Sequence, residues 1–332
     1  MKRRTLLTGT VAAGLTVAVG TAGQLDPMLL AAGTSAEPWT TGRAAAALDA
    51  ASSSYTDSRY AAASELLSPL LAALHATHQT ATGTARTTLA EMLARAYALG
   101  SSLATKYGDD AVALTLADRG LTAARATGHR ITIAASTHVL AITMRRDGHH
   151  KGALHLLSTA ADQLGADRGQ PGLEVIGAYG SLLCTAAYTA AQAGDRAAAD
   201  TYLREAADAA TRINGTARHG MLPFNSATVD VYGIGAYTAL GETGTALTHA
   251  AAVVPAQLPT TERRGRFLVD AARAWHRHGR PDRAAHALLA AERHAPEEIN
   301  RPSVRELVTT LVYAPTPTPS ELRALASRIG AR

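Results

Sequence analysis

Phe and Trp are nearly missing from this sequence, which has two of each in 332 residues. A core without them is filled by Ala, Leu and Val on closely approaching backbones. Ala and Leu are the strongest helix formers, whereas strands draw on β-branched and aromatic residues, so the composition favours an all-α chain. Cysteine is limited to Cys184, which excludes an internal disulfide; its setting in the apolar run SLLCTAAY marks it as a small core residue. Lysine occurs only at Lys2, Lys106 and Lys151, and the other basic residues are arginine. The formal charge is +5, of which Lys2, Arg3, Arg4 and Asp26 supply two, so the surplus on the body of the chain does not mark a nucleic-acid binder.

The short patterns that carry chemistry are absent too. There is no GxSxG turn, no P-loop, no GxGxxG after a strand and no HExxH pair, and the GIG tripeptide of Gly233 and Gly235 lies inside a helical pattern. The stretch RRDGHHKGALHLLSTA holds His149, His150 and His155, and WHRHG holds His276 and His278. A zinc site needs three or four converging ligands, with Cys or carboxylates as usual company, and no such set stands out. The expectation is a non-enzymatic protein with no metal and no cofactor.

Residues 1–36 read as a segment apart. Arg3 and Arg4 precede Leu6, Leu7 and an uncharged stretch diluted by Gly and Thr, with small residues near Ala22 and Ala36. The pattern resembles a twin-arginine export signal; the alternative is a linker, because the charged start is short and the stretch would span a membrane poorly. A cytoplasmic and an exported location both stay open. Either way the expected fold is one domain over residues 37–332.

No segment of that domain reads as a strand. Apolar residues recur at helical spacing and glycine punctuates them at a repeating interval. Gly148 is followed by Ala153, Leu157 and Ala160; Gly108 by Ala113, Ala117 and Gly120; Gly194 by Ala199, Leu203 and Ala206. Gly241 leads to Ala246, Ala250 and Val253, and Gly279 to Ala284, Leu288 and Ala291, while a degenerate copy without the glycine has Tyr60, Ala63, Leu67 and Leu70. Glycine ends one helix in a conformation costly to other residues, the small residue five positions on lets the next helix cross closely, and the later positions continue its buried face. Seven residues before each glycine stand Ser101, Ala141, Ala187, Ile234 and Ala272, where the two helices are expected to touch.

This arrangement resembles the tetratricopeptide repeat, with about six helical hairpins in an α-solenoid, although the marker alanines are spaced more widely than the usual 34 residues. The resemblance implies a concave surface lined by residues two, three, six and ten positions before each glycine. Carried over, it selects Lys106, His138, Arg145, Arg146, Tyr188, Gln192, Arg273, His276 and Arg277, with Tyr232 beside them, as candidate ligand-binding residues. Such a lining suits a peptide or protein partner, or a small acidic ligand, held by charge-assisted hydrogen bonds; the alternative is a set of ordinary solvated charges.

The C-terminal stretch PTPSELRALASRIGAR resembles the first helix and turn of a helix-turn-helix, but the groove-entering second helix does not follow, and the expected role is a capping helix. Together, RRTLLTGTVAAG, AEPW, the Ala-rich repeats, RPSVRELVTTL and LRALASRIG resemble actinobacterial regulators that carry a helix-turn-helix domain ahead of tetratricopeptide-like repeats. In that family the DNA-binding domain precedes the RR segment, which here stands at residue 3, so no direct nucleic-acid binding is expected. The resemblance implies a regulatory sensor or interaction protein, compatible with a homodimer. The rival expectation is an exported or membrane-attached scaffold using the twin-arginine route.

Overall fold

Helical periodicity interrupted by glycine turns yields an all-α chain in the computed structural model, which describes residues 25–165, 171–213, 215–219, 222–315 and 319–331. Six helix pairs follow one another: α1 (Thr41–Thr56) with α2 (Tyr60–Thr80), α3 (Gly83–Tyr107) with α4 (Asp110–Arg125), and α5 (Arg130–Arg146) with α6 (His150–Leu164). The series continues with α7 (Leu173–Gln192) and α8 (Arg196–Thr211), α9 (Ser226–Ala239) and α10 (Thr243–Ala252), and α11 (Thr261–Arg277) and α12 (Pro281–His294). A one-turn helix α13 (Pro296–Ile299) leads to α14 (Pro302–Val312) and α15 (Ser320–Ile329). Each helix packs on the next in the chain, and each odd-numbered helix from α1 to α9 also packs on the odd-numbered helix after it. None of the described helices is long and apolar enough to cross a membrane.

The turns carry the geometry their glycines suggest. Gly108, Gly148, Gly194, Gly241 and Gly279 all have φ between 77 and 83°. The contact positions seven residues before and five after each of them, Ser101 with Ala113 through Ala272 with Ala284, are all 0% exposed. The Ser101 hydroxyl donates across its hairpin to the Ala113 carbonyl at 2.8 Å.

The first hairpin lacks the glycine, yet Ser58, five residues before Ala63, adopts the same left-handed conformation at φ 61°. Its buried hydroxyl finds no hydrogen-bond partner. Left-handed backbone costs a non-glycine residue about 1–2 kcal/mol, and glycine returns part of that through its larger unfolded-state entropy. Ser58→Gly is expected to stabilise the chain by about 1 kcal/mol. A urea titration tests this, and an unchanged or lower midpoint contradicts it.

Two expectations are corrected. Leu25, Met28 and Ala31, set apart with residues 1–36 on sequence, are buried against Leu67, Leu99 and Leu116, and Arg119 holds the Leu29 carbonyl at 2.5 Å. The packed chain therefore reaches back to Leu25; the paired arginines lie outside the described residues. The chain also contains a two-stranded antiparallel ribbon, β1 (Ala217–His219) and β2 (Leu222–Phe224). Its anchor is the fully buried Phe224, whose ring seats on Gly180 so tightly that a Cβ there would lie 2.1 Å from it, while Ala217 sits on Gly177. A ribbon this short leaves no alternation to read, and its stability comes from that docking on α7.

The ends of the series meet. α11 packs on α1, and Pro302 lies against Gly108 at the end of α3. α2 begins without a side-chain cap of its own; Glu297 accepts from the Tyr60 and Ala61 amides at 2.7 and 3.1 Å. A carboxylate at a helix N-terminus complements the free amides and the macrodipole, so α13 caps a helix from the opposite end of the chain. α15 lies on α12 and α14 and buries Leu322, Leu325 and Ala326.

Candidate functional site

The site grows from an inverted pattern on α11. Glu262 and Arg263, then Arg266, Asp270, Arg273 and Arg277 at steps of three or four, share one face, while Val269, Ala272 and Ala274 around it are buried. A surface helix normally turns such a charged stripe to water. Here its carboxylates are turned inward, with Glu262 at 5% and Asp270 at 9% exposure, and only Arg277 at its end is exposed.

At the stripe's first end the two halves of the chain are clasped by ions. The Lys106 ammonium, on the last turn of α3, bonds Glu262 of α11 at 2.6 Å and Glu298 of α13. Glu298, wholly buried, also accepts from the Tyr60 hydroxyl and from Arg301 at 2.9 Å, and Lys106 lies over the rings of Tyr55 and Tyr60. Burial works to raise both carboxyl pKa values, but the Lys106 ammonium and neighbouring guanidiniums outweigh it and hold both below the usual carboxylate range.

Beyond the clasp, the C-terminal ends of α3, α5, α7, α9 and α11 converge on a cavity of about 650 Å³, closed on one side by Arg301 and Ser303. Six guanidiniums line it: Arg145, Arg146, Arg266, Arg273, Arg277 and Arg301. Most are occupied. Arg146 makes a two-pronged bond to Asp110 at 2.6 and 3.1 Å; Arg266 and Arg273 share Asp270 at 3.4 and 3.0 Å; Arg277 donates to the Thr238 carbonyl at 2.8 Å.

Arg145 differs. It is 6% exposed, and neither its Nε nor its Nη1 has a hydrogen-bond partner. Its one compensation is the Tyr188 ring, 4.2 Å from the guanidinium carbon. That ring also rests on Gly235, where a Cβ would stand 3.3 Å from it, so the GIG tripeptide supplies the close approach that seats Tyr188. Burial, then repulsion from Arg266 and Arg146, holds the Arg145 pKa below its ordinary value, although a guanidinium stays charged at neutral pH.

Of the sequence-selected residues, the cavity brings together Arg145, Arg146, Tyr188, Gln192, Arg273 and Arg277. Lys106 is spent in the clasp. His138 is buried at 4% with its Nδ1 unpartnered, and burial together with Arg263, Arg145 and Arg266 lowers its pKa to about 3. Tyr232 is buried, accepts from Thr185 at 3.3 Å and lies beneath Arg266. His276 is half-buried and outside the lining. The offsets before the glycine missed Arg266 and Asp270 by sampling positions 269 and 276; the charge stripe on α11 itself is the signal that finds them. Arg301 and Ser303 follow α13 and carry no periodic signal.

Of the histidines in RRDGHHKGALHLLSTA, His150 reaches the cavity rim with its Nδ1 buried and unpartnered, and His149 pairs with Asp147 at 3.1 Å. Among the described residues no three His, Cys, Asp or Glu side chains converge. Cys184 is fully buried, and burial pushes its thiol pKa far up, as for an inert core residue. No protein-family model and no curated protein sequence matches the chain.

Proposed function

We propose that this chain is a non-enzymatic sensor or interaction protein, a tetratricopeptide-like array of about six hairpins whose inner surface holds an acidic ligand and passes the bound state to a regulatory partner. One observation carries the reading: guanidiniums from separate helices converge on one cavity, and the most deeply placed, Arg145, has no anionic partner among the described residues. An uncompensated buried charge is costly, and a protein tolerates it where a ligand supplies the missing partner. The alternating packing of the odd helices and the glycine turns support the array.

The test is a thermal-shift panel on the full chain at low ionic strength, with acidic peptides, di- and tricarboxylates and oligophosphates. At least one acidic class is expected to raise the melting temperature, with added salt reducing the shift. A panel without any shift contradicts the reading.

A further inference from the structure

We infer that the cavity binds a compact anion carrying several phosphoryl groups, recognised through its phosphate chain. The inference rests on the proposed ligand-holding role of the cavity and names the ligand's chemistry.

Charge is the first argument. Across the clasp and the cavity, Lys106, Arg263 and the six lining arginines are set against four carboxylates, those of Asp110, Glu262, Asp270 and Glu298. The excess is several charges, more than a single carboxylate neutralises. Five helix C-termini approach the cavity and offset part of it, but the macrodipole fades within the last turn. The turns that follow Gly108, Gly148, Gly194, Gly241 and Gly279 also satisfy carbonyls of those last turns.

Shape and direction come next. Guanidiniums enter from α5 on one side, α11 on another and the α13–α14 connection on a third. Tetrahedral phosphates present oxygens in all these directions, and the planar guanidinium fork matches them two bonds at a time. An acidic peptide needs apolar seats for its side chains as well. The lining offers only Ile142 and Ala239 besides the rings of Tyr188 and His150, and the Tyr188 ring already packs on Arg145 and Gly235. His150 at the rim is the lining's other ring, and six guanidiniums outnumber the two rings, so the phosphate chain carries the recognition.

Calorimetric titration of the full chain at low ionic strength compares inorganic tripolyphosphate, a nucleoside triphosphate, citrate and tetraglutamate. Tripolyphosphate is expected to bind about tenfold or more tighter than citrate or tetraglutamate, and at least as tightly as the nucleotide. Arg145→Met, and separately the rim variant Arg277→Met, are expected to weaken it about tenfold or more. Tetraglutamate or citrate binding as well as tripolyphosphate overturns the phosphate assignment while leaving the ligand-holding role standing, as does tripolyphosphate affinity that neither variant changes. A nucleotide that binds much more tightly than tripolyphosphate overturns recognition through the phosphate chain. No binding by any of the four anions overturns the inference, and the role falls with it if the thermal-shift panel is silent too.

Discussion

Lys106→Met is expected to destabilise the chain by about 3 kcal/mol, the lower end of the 3–5 kcal/mol found when one partner of a buried ion pair is removed. The ammonium is shared by Glu262 and Glu298, whose side chains are 7% and 0% exposed. Without it both carboxylates stay buried, but neither is left bare, since Arg301 still holds Glu298 at 2.9 Å and Arg263 lies 3.6 Å from Glu262. That residual pairing sets the lower figure. The triple variant Lys106→Met, Glu262→Gln, Glu298→Gln is expected to recover only part of the loss, because it removes the two buried carboxylates but takes Glu298 from Arg301 and Glu262 from Arg263. Chemical denaturation of wild type, single and triple variants decides it. A single variant as stable as wild type means that the clasp does not hold α3 to α11 and α13.

Acid sensitivity from His138 is the other large effect. Its pKa is lowered from 6.5 to about 3 in the folded chain. Between those values the unfolded chain binds one proton more than the folded one, so stability falls as pH falls, by about 1.4 kcal/mol per pH unit. Glu262 and Glu298 act in a different window: their folded values lie below the ordinary 4.5, so the stability they contribute is present above it and is lost only as pH falls below. The range from pH 7 to pH 5 therefore leaves these carboxylates out; His75 and His78, whose pKa values burial also lowers, act in the same range, and His138 accounts for about 2 kcal/mol of the stability lost there. His138→Leu is expected to match or exceed the wild type at pH 7 and to lose about 2 kcal/mol less on going to pH 5. Parallel slopes for the two proteins would mean that His138 takes up its proton in the folded chain over the same range as in the unfolded one.

Much of the architecture was legible because it is local. A glycine at fixed distance from small residues specifies a turn and two contact points, and the positions seven before and five after each glycine are sealed from solvent. Even the hairpin without its glycine obeys the spacing, through Ser58. What escaped reading is long-range or brief. The clasp joins residues 156 and 192 positions apart, the cap on α2 comes from 237 positions away, and the ribbon's three-residue strands owe their existence to a seat on Gly177 and Gly180.

The candidate site was legible in part for the same reason. Arg145, Arg146, Tyr188, Gln192, Arg273 and Arg277 lie in the last turns before their glycines, so counting back found them. Counting back also chose Lys106 and His138, because burial cannot be seen in a position number; both are enclosed by the return of α11 against the front of the chain. Arg266 lies beyond the furthest position counted, 269, and Asp270 falls between positions counted, so only the charge periodicity of α11 marks them.

The central claim is that Arg145 is kept buried and unpaired for the sake of an anion. Melting curves of wild type and Arg145→Met, each with and without saturating tripolyphosphate, test it most directly. The account predicts a crossover: the variant melts above wild type without the anion, because an uncompensated charge is gone, and below it with the anion, because a ligand contact is gone. A variant that melts below wild type by the same margin in both conditions contradicts the account, since Arg145 would then be an ordinary structural residue.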